Sequence, residues 1–123
     1  MLIGAFIGEE MVGVAIGSLA EKSDIAKNGI ELNGLWVYPQ HRHKGVSLML
    51  LEYLLVYYRK ISKESMVIYS LHHSPSNAFY RKFGCLQVEQ IYQMDGKLLV
   101  DIFNADILEL LGNIQRSLIK YQT

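Results

Sequence analysis

The chain has one cysteine, Cys85, two prolines and no surplus of either charge in its 123 residues. A lone thiol cannot close an internal disulfide, and no basic leader with an apolar run and a small-residue cleavage site stands at the front. A cytoplasmic protein is the expectation. Twelve Lys and Arg stand against twelve Asp and Glu, interspersed, so the basic field of a nucleic-acid binder is missing. No apolar run reaches the roughly 18–20 residues of a membrane span, the densest being Leu48 to Tyr58. The four histidines fall in no ligand-like spacing with Cys85, and no metal site is expected. Repeats, linkers and low-complexity stretches are also missing. What is present is apolar bulk: half of the residues are hydrophobic, enough for one core, and a single domain over 1–123 is expected.

Residues 2–8 and 11–19 read as two strands about a tight turn at Glu9-Glu10, and their glycines, at 4, 8, 13 and 17, mark bulges or close backbone approach. Glu21 to Asn28 is polar, a loop closed by the turn pair Asn28-Gly29. Ile30 to Tyr38 is a third strand ended by Pro39. From Lys44 to Lys60 the pattern is helical and apolar on most of its circumference, so this helix must be covered on more than one side. Met66 to Leu71 follows as a strand parallel to Ile30–Tyr38, by right-handed crossover. A short helix runs from Pro75 to Lys82 and stops at Gly84. Leu86–Met94 and Lys97–Phe103 form a hairpin about Asp95-Gly96. Asp106 caps a last helix with Ile107, Leu110, Leu111, Ile114 and Leu118 on one face. The order βββαβαββα argues an α/β (α+β) mixed sheet with helices on its faces.

The chain is organised around Gly34 to Leu51, where the apolar run Leu35-Trp36-Val37 passes through Pro39 into a basic turn, then Gly45, then the long helix. The turn carries no negative charge, and its free N–H groups and the helix N-terminus form an anion site. Arg42 and Lys44 add donors suited to phosphate. Cations at a helix start are unfavourable unless an anion sits with them. Val37-Tyr38-Pro39 followed by Arg42-His43-Lys44-Gly45-Val46-Ser47 resembles the acyl-CoA pyrophosphate loop of the GNAT superfamily of N-acetyltransferases. That pattern is a Val-x-Pro strand end and then Gln/Arg-x-x-Gly-x-Gly/Ala, and Ser47 departs from it. His73 through Gly84 resembles the second GNAT signature, Asn-x-x-Ala-x-x-Leu/Phe-Tyr-x-Lys-x-Gly-Phe. His73 stands there for the usual Asn, Ser76 for the Ala and Cys85 for the final Phe. The element order matches the family from its second strand onward. The usual first strand and helices, which form one wall of the acceptor groove, have no counterpart.

The resemblance implies a GNAT-like fold, acetyl-CoA as cosubstrate without a metal, and a small-molecule or peptide amine as acceptor. It assigns Arg42, His43, Lys44, Gly45, Val46 and Ser47 to the cosubstrate's phosphates, the backbones of Val37 and Tyr38 to its pantetheine arm, and His73 to the same binding surface. Trp36 is expected in the core. Tyr80 falls where the family often has a tyrosine near the thioester sulfur, and a phenol of pKa about 10 suits protonation of a thiolate. Glu31 falls where some members carry the carboxylate that deprotonates the amine. Strand alternation leaves open whether it faces the site or solvent. His72 and His73 have the pKa of a residue suited to base work, but a histidine pair at a strand end is more often a surface feature. Two other readings stay open, a domain that binds CoA without turnover and a protein-interaction domain. A homodimer is expected from the bare sheet edge, the excess apolar surface of the Lys44–Lys60 helix and the stripe of the last helix. The alternative has that last helix fold back onto the bare sheet of its own chain.

Overall fold

The computed structural model of the chain describes residues 1–20 and 25–121. Its elements are β1 (Leu2–Ile7), β2 (Glu10–Leu19), β3 (Gly29–Val37), α1 (Val46–Lys60), β4 (Ser65–Leu71), α2 (Ser76–Lys82), β5 (Leu86–Gln93), β6 (Leu98–Asp106) and α3 (Ile107–Leu118). Short 3₁₀ turns occupy Pro39–His41 and Ile119–Tyr121. This is the expected order. Boundaries shift where a left-handed residue takes over: Gly8, at φ 61°, moves the first turn to Gly8-Glu9, and α1 begins after Gly45, at φ 83°. The loop expected over Glu21–Asn28 lies partly outside the described residues, at 21–24.

The six strands form one sheet in the order β1-β2-β3-β4-β6-β5. Every neighbouring pair is antiparallel except β3 and β4, which α1 joins as a crossover. That parallel contact is short. It pairs Gly29 with Ser65, Ile30 with Met66 and Glu31 with Val67, and stops, although β3 runs on to Val37 and β4 to Leu71. β4 stays with β6 over its whole length, while β3 follows β2. The β2–β3 register slips just past the last parallel pair, Gly17 facing Leu32 and Ile16 facing Gly34, so that Asn33 is an extra residue. Such a bulge bends and twists its strand, and it carries β3 away from β4 as one arm of a V.

All three helices lie on one face. Ala15, Ile30, Leu32, Val37, Met66, Ile68, Phe103 and Ala105 point to that face and share a core with the buried residues of α1 and α3 and with Tyr80 of α2. α1 comes close to β2 because Gly17 has no side chain: a Cβ there would sit 3.0 Å from Leu54 Cδ1 and 3.2 Å from Tyr58 Cε2. Asp106 caps α3 as expected, its carboxylate accepting the Glu109 N–H at 2.9 Å. The stripe Ile107, Leu110, Leu111, Ile114 and Leu118 is buried, against α1 and the sheet. It is buried within its own chain, where it supplies the second cover that α1 needs. On the other face Val67 and Ile102 pack with Ala26 of the β2–β3 connection, which Asn104 pins by donating to the Ile25 carbonyl at 3.1 Å. Leu2, Ile16, Trp36 and Tyr69 of that face are exposed. Trp36 is therefore not a core residue, because it alternates outward from Leu35 and Val37. Among the described residues no helix is long and apolar enough to cross a membrane.

Candidate active site

On the helix-bearing side the V opens into a cleft of about 590 Å³, within the range of small-molecule sites. Leu35, Trp36 and Val37 of β3 form one wall, and Ser76, Phe79 and Tyr80 of α2 the opposite one. Gly45, Val46, Ser47 and Leu48 close the end at the start of α1, where Ser117, Lys120 and Tyr121 reach in from the end of α3. Among the described residues its charged lining is of one sign: Arg42, Lys82 and Lys120, with His41 and His43, and no Asp or Glu. Such a lining attracts an anion and excludes a cation.

The loop at the closed end follows from local backbone choices. His43 at φ 63° and Gly45 at φ 83° turn the chain sharply into α1. No side chain caps that helix, so its first N–H groups have no intrahelical acceptor and face the cleft. Arg42 folds back on the strand end. Its Nε donates to the Val37 carbonyl at 2.9 Å and its guanidinium lies 5.5 Å from the Trp36 ring centre, which leaves the terminal N–H groups for a ligand. The buried Nδ1 of His41 has no hydrogen-bond partner among the described residues. An unpaired ring nitrogen, free helix N–H groups and a lining without carboxylates among the described residues all fit a phosphate-bearing cosubstrate.

The expected site residues divide. Val37, Arg42, His43, Gly45, Val46, Ser47 and Tyr80 line the cleft, whereas Lys44 and His73 do not. Lys44 is exposed between two left-handed residues, and His73 is exposed with its ring 4.8 Å from that of His72. Tyr38 is not available through its backbone: its N–H donates to the Val12 carbonyl at 2.9 Å and its carbonyl accepts the His41 N–H at 2.9 Å. Backbone direction alternates along a strand, so Leu35 and Val37 turn their N–H groups toward the split while Tyr38 turns toward β2. Leu35, His41, Ser76, Lys82, Lys120 and Tyr121 are cleft residues that the sequence reading did not assign. Lys82 stands inside the second signature and could have been found there. Nothing in the sequence ties Lys120 or Tyr121 to a loop so distant in the chain.

Tyr80 is 8% exposed. Burial pushes its phenol above the ordinary value, a nearby Cys85 charge would push it further, and a hydrogen bond with Ser76 offsets part of this. The hydroxyl is thus a proton donor at neutral pH. Burial pushes the Cys85 thiol up to about 12, which removes it as a nucleophile. Glu31 sits at the apex of the V, in the last β3–β4 pair, on the face of Val67 and outside the cleft lining. Its Oε2 accepts from Asn33 Nδ2 at 2.6 Å, so the bulge residue that opens the V also orients the carboxylate. α2 is held from behind by Asp101, which is fully buried. That carboxylate accepts from Gln90 at 2.7 Å, faces His72 Nδ1 at 3.0 Å, and lies 3.4 Å from Gln87 Nε2, 3.5 Å from Asn77 Nδ2 and 3.9 Å from the Arg81 guanidinium. Burial alone would raise its pKa, but the hydrogen bonds from Gln90 and His72 and the charges of His72 and Arg81 outweigh burial and hold it below the usual range. Among the described residues no group of three or more His, Cys, Asp or Glu could hold a metal ion.

The split parallel pair stands above this basic cleft, with a glycine-started helix at its end. The model of the acetyltransferase (GNAT) family matches residues 1–85, and the chain belongs to that family. No curated protein matches the sequence. Among solved structures, a GNAT-family protein of Desulfovibrio desulfuricans superposes with a TM-score of 0.76 at 15% identity, over 86% of this chain and 67% of its own. The ribosomal-protein-S18-alanine N-acetyltransferase of Escherichia coli gives 0.68 at 17% identity, over 87% and 68%. The yncA protein of Salmonella typhimurium, solved with its cofactor acetyl-CoA, gives 0.68 at 20%, over 86% and 64%. The chain spans about two thirds of the length of these structures.

Proposed function

We propose that the chain transfers an acetyl group from acetyl-CoA to a primary amine of a small molecule or peptide by direct attack. The observation that carries this is the cleft lined, among the described residues, by three cations and two histidines without a carboxylate, running from the α1 N–H groups to the strand split. The acetyl-CoA of the Salmonella structure and the alanine acceptor in the name of the Escherichia coli enzyme support the same reading.

The α1 N–H groups at Val46 and Ser47, with Arg42, His41 and His43, hold the phosphates around Gly45. The β3 edge at Leu35 and Val37 receives the pantetheine arm as an added strand. When bound, the cosubstrate supplies a thioester open to attack by a neutral amine. Glu31, reached from the opposite face through the apex of the V, takes the amine proton through water. The Val37 N–H stabilises the negative charge that builds on the carbonyl oxygen. As the new C–N bond forms and the C–S bond breaks, Tyr80 gives its proton to the departing thiolate. Lys44, outside the cleft, adds to the field that draws in the anion.

Calorimetric titration with acetyl-CoA, followed by a thiol-release assay over a panel of amines, tests the reading. Binding with turnover supports it. Binding without thiol release on any amine selects a non-catalytic CoA-binding domain, and no binding overturns the reading in favour of a protein-interaction role. Self-association belongs to the same proposal but rests now on the β1 edge and the exposed face beside it, since α3 is fully used within the chain.

A further inference from the structure

We propose that the 3₁₀ turn Ile119–Tyr121 is a strap that closes the phosphate end of the cleft and competes with the cosubstrate for it. This rests on the reading of the cleft as a CoA site. Gly45 leaves room beside its Cα that any other residue would fill, and here the Tyr121 ring fills it: a Cβ on Gly45 would meet Tyr121 Cδ2 at 3.0 Å, Cγ at 3.1 Å and Cε2 at 3.3 Å. Gly45 is buried as a result. A phosphate drawn to the backbone at Gly45 needs the same space, so ring and phosphate exclude each other.

The strap is held weakly enough to open. Tyr121 is 48% exposed, and no side-chain hydrogen bond or ion pair holds Lys120 or Tyr121 among the described residues. The turn begins directly after Leu118, which is 5% exposed and anchored in the core. Swinging Ile119–Tyr121 outward therefore leaves the packing of α3 untouched. The turn also lies beyond the residues that the family model matches. Apparent affinity is the intrinsic affinity multiplied by the fraction of molecules in which the strap is open. A strap closed about four fifths of the time weakens binding about five-fold.

The test compares the parent chain with Tyr121→Ala, Tyr121→Phe and a chain ending at Lys120, which loses the ring and keeps that cation, each titrated with CoA by calorimetry. Tyr121→Ala and the shortened chain bind about five-fold more tightly than the parent, and Tyr121→Phe, which keeps the ring, binds like it. The shortened chain decides the matter if Tyr121→Ala does not fold. Equal affinity in all four chains overturns the strap and leaves the CoA site standing. Weaker binding after loss of the ring overturns it too, and makes Tyr121 a ligand contact. No CoA binding in any chain overturns the reading of the cleft and the strap with it.

Discussion

Exchanging Asp101 for asparagine removes one charge from the interior and almost no volume. Every group around that carboxylate is a donor or a cation: Gln90 at 2.7 Å, His72 at 3.0 Å, Gln87 at 3.4 Å, Asn77 at 3.5 Å and Arg81 at 3.9 Å. An amide NH₂ placed among them meets donors. Breaking a buried charged pair costs about 3–5 kcal/mol, and a single hydrogen bond to a charge is worth about 1.5–3. Gln87 and Gln90 can turn their amide oxygens inward, and the half-exposed Arg81 contributes little at its distance. The low end, about 3 kcal/mol, is therefore the expected loss. For a domain of this size that lowers Tm by roughly 10 °C. Urea unfolding at pH 7 and scanning calorimetry measure both quantities. The pH dependence supplies a second, independent check. Asp101 is held below the ordinary carboxylate range, so its stabilisation is complete above an unfolded-state pKa of about 4 and is lost as pH falls through the lower folded value. The stability gap between parent and variant should thus be constant from pH 7 to 5 and narrow below about pH 4. A loss under about 1 kcal/mol at pH 7, or a gap that does not narrow in acid, would refute the assignment of Asp101 as the anchor of α2.

Three further outcomes follow from the site. Tyr80→Phe lowers kcat on the order of 10²-fold and leaves the acetyl-CoA Kd nearly unchanged; normal turnover in steady-state assays would move proton delivery to water. Glu31→Gln lowers kcat by a similar order of magnitude at neutral pH while CoA titrates as before, and a fully active variant would remove Glu31 as the base. Sedimentation at micromolar concentration should show a species of twice the 14.0 kDa chain mass; a well-folded monomer would end the homodimer proposal.

The fold was legible because pattern and punctuation agree along most of the chain. The turn at Asp95-Gly96, the cap at Asp106 and the stop at Gly84 each fall where a particular residue type suits the backbone, and α1 declares in its circumference that it needs two covers. The partner of α3 was not legible, since an apolar stripe states that it will be buried and not by what. The cleft was half legible. Gly45 and its neighbours mark an anion loop, but which side chains face inward depends on the left-handed turns at His43 and Gly45, and these rotate Lys44 out. Tyr38 was misassigned because one residue of strand phase decides whether an N–H faces β2 or the split. Asp101 passed as an ordinary polar residue in a strand, since its five partners come from three other elements.

The extra residue at Asn33 also has a mechanical consequence. With only Gly29–Glu31 laced to Ser65–Val67, the sheet is two three-stranded leaves, β1-β2-β3 and β4-β6-β5, stitched at one end and free at the other. The cleft is the gap at the open side of the seam between them. A ligand that lies along β3 and against α2 spans both leaves and laces the seam further up, so the same molecule that is substrate for the chemistry is also a tie in the scaffold.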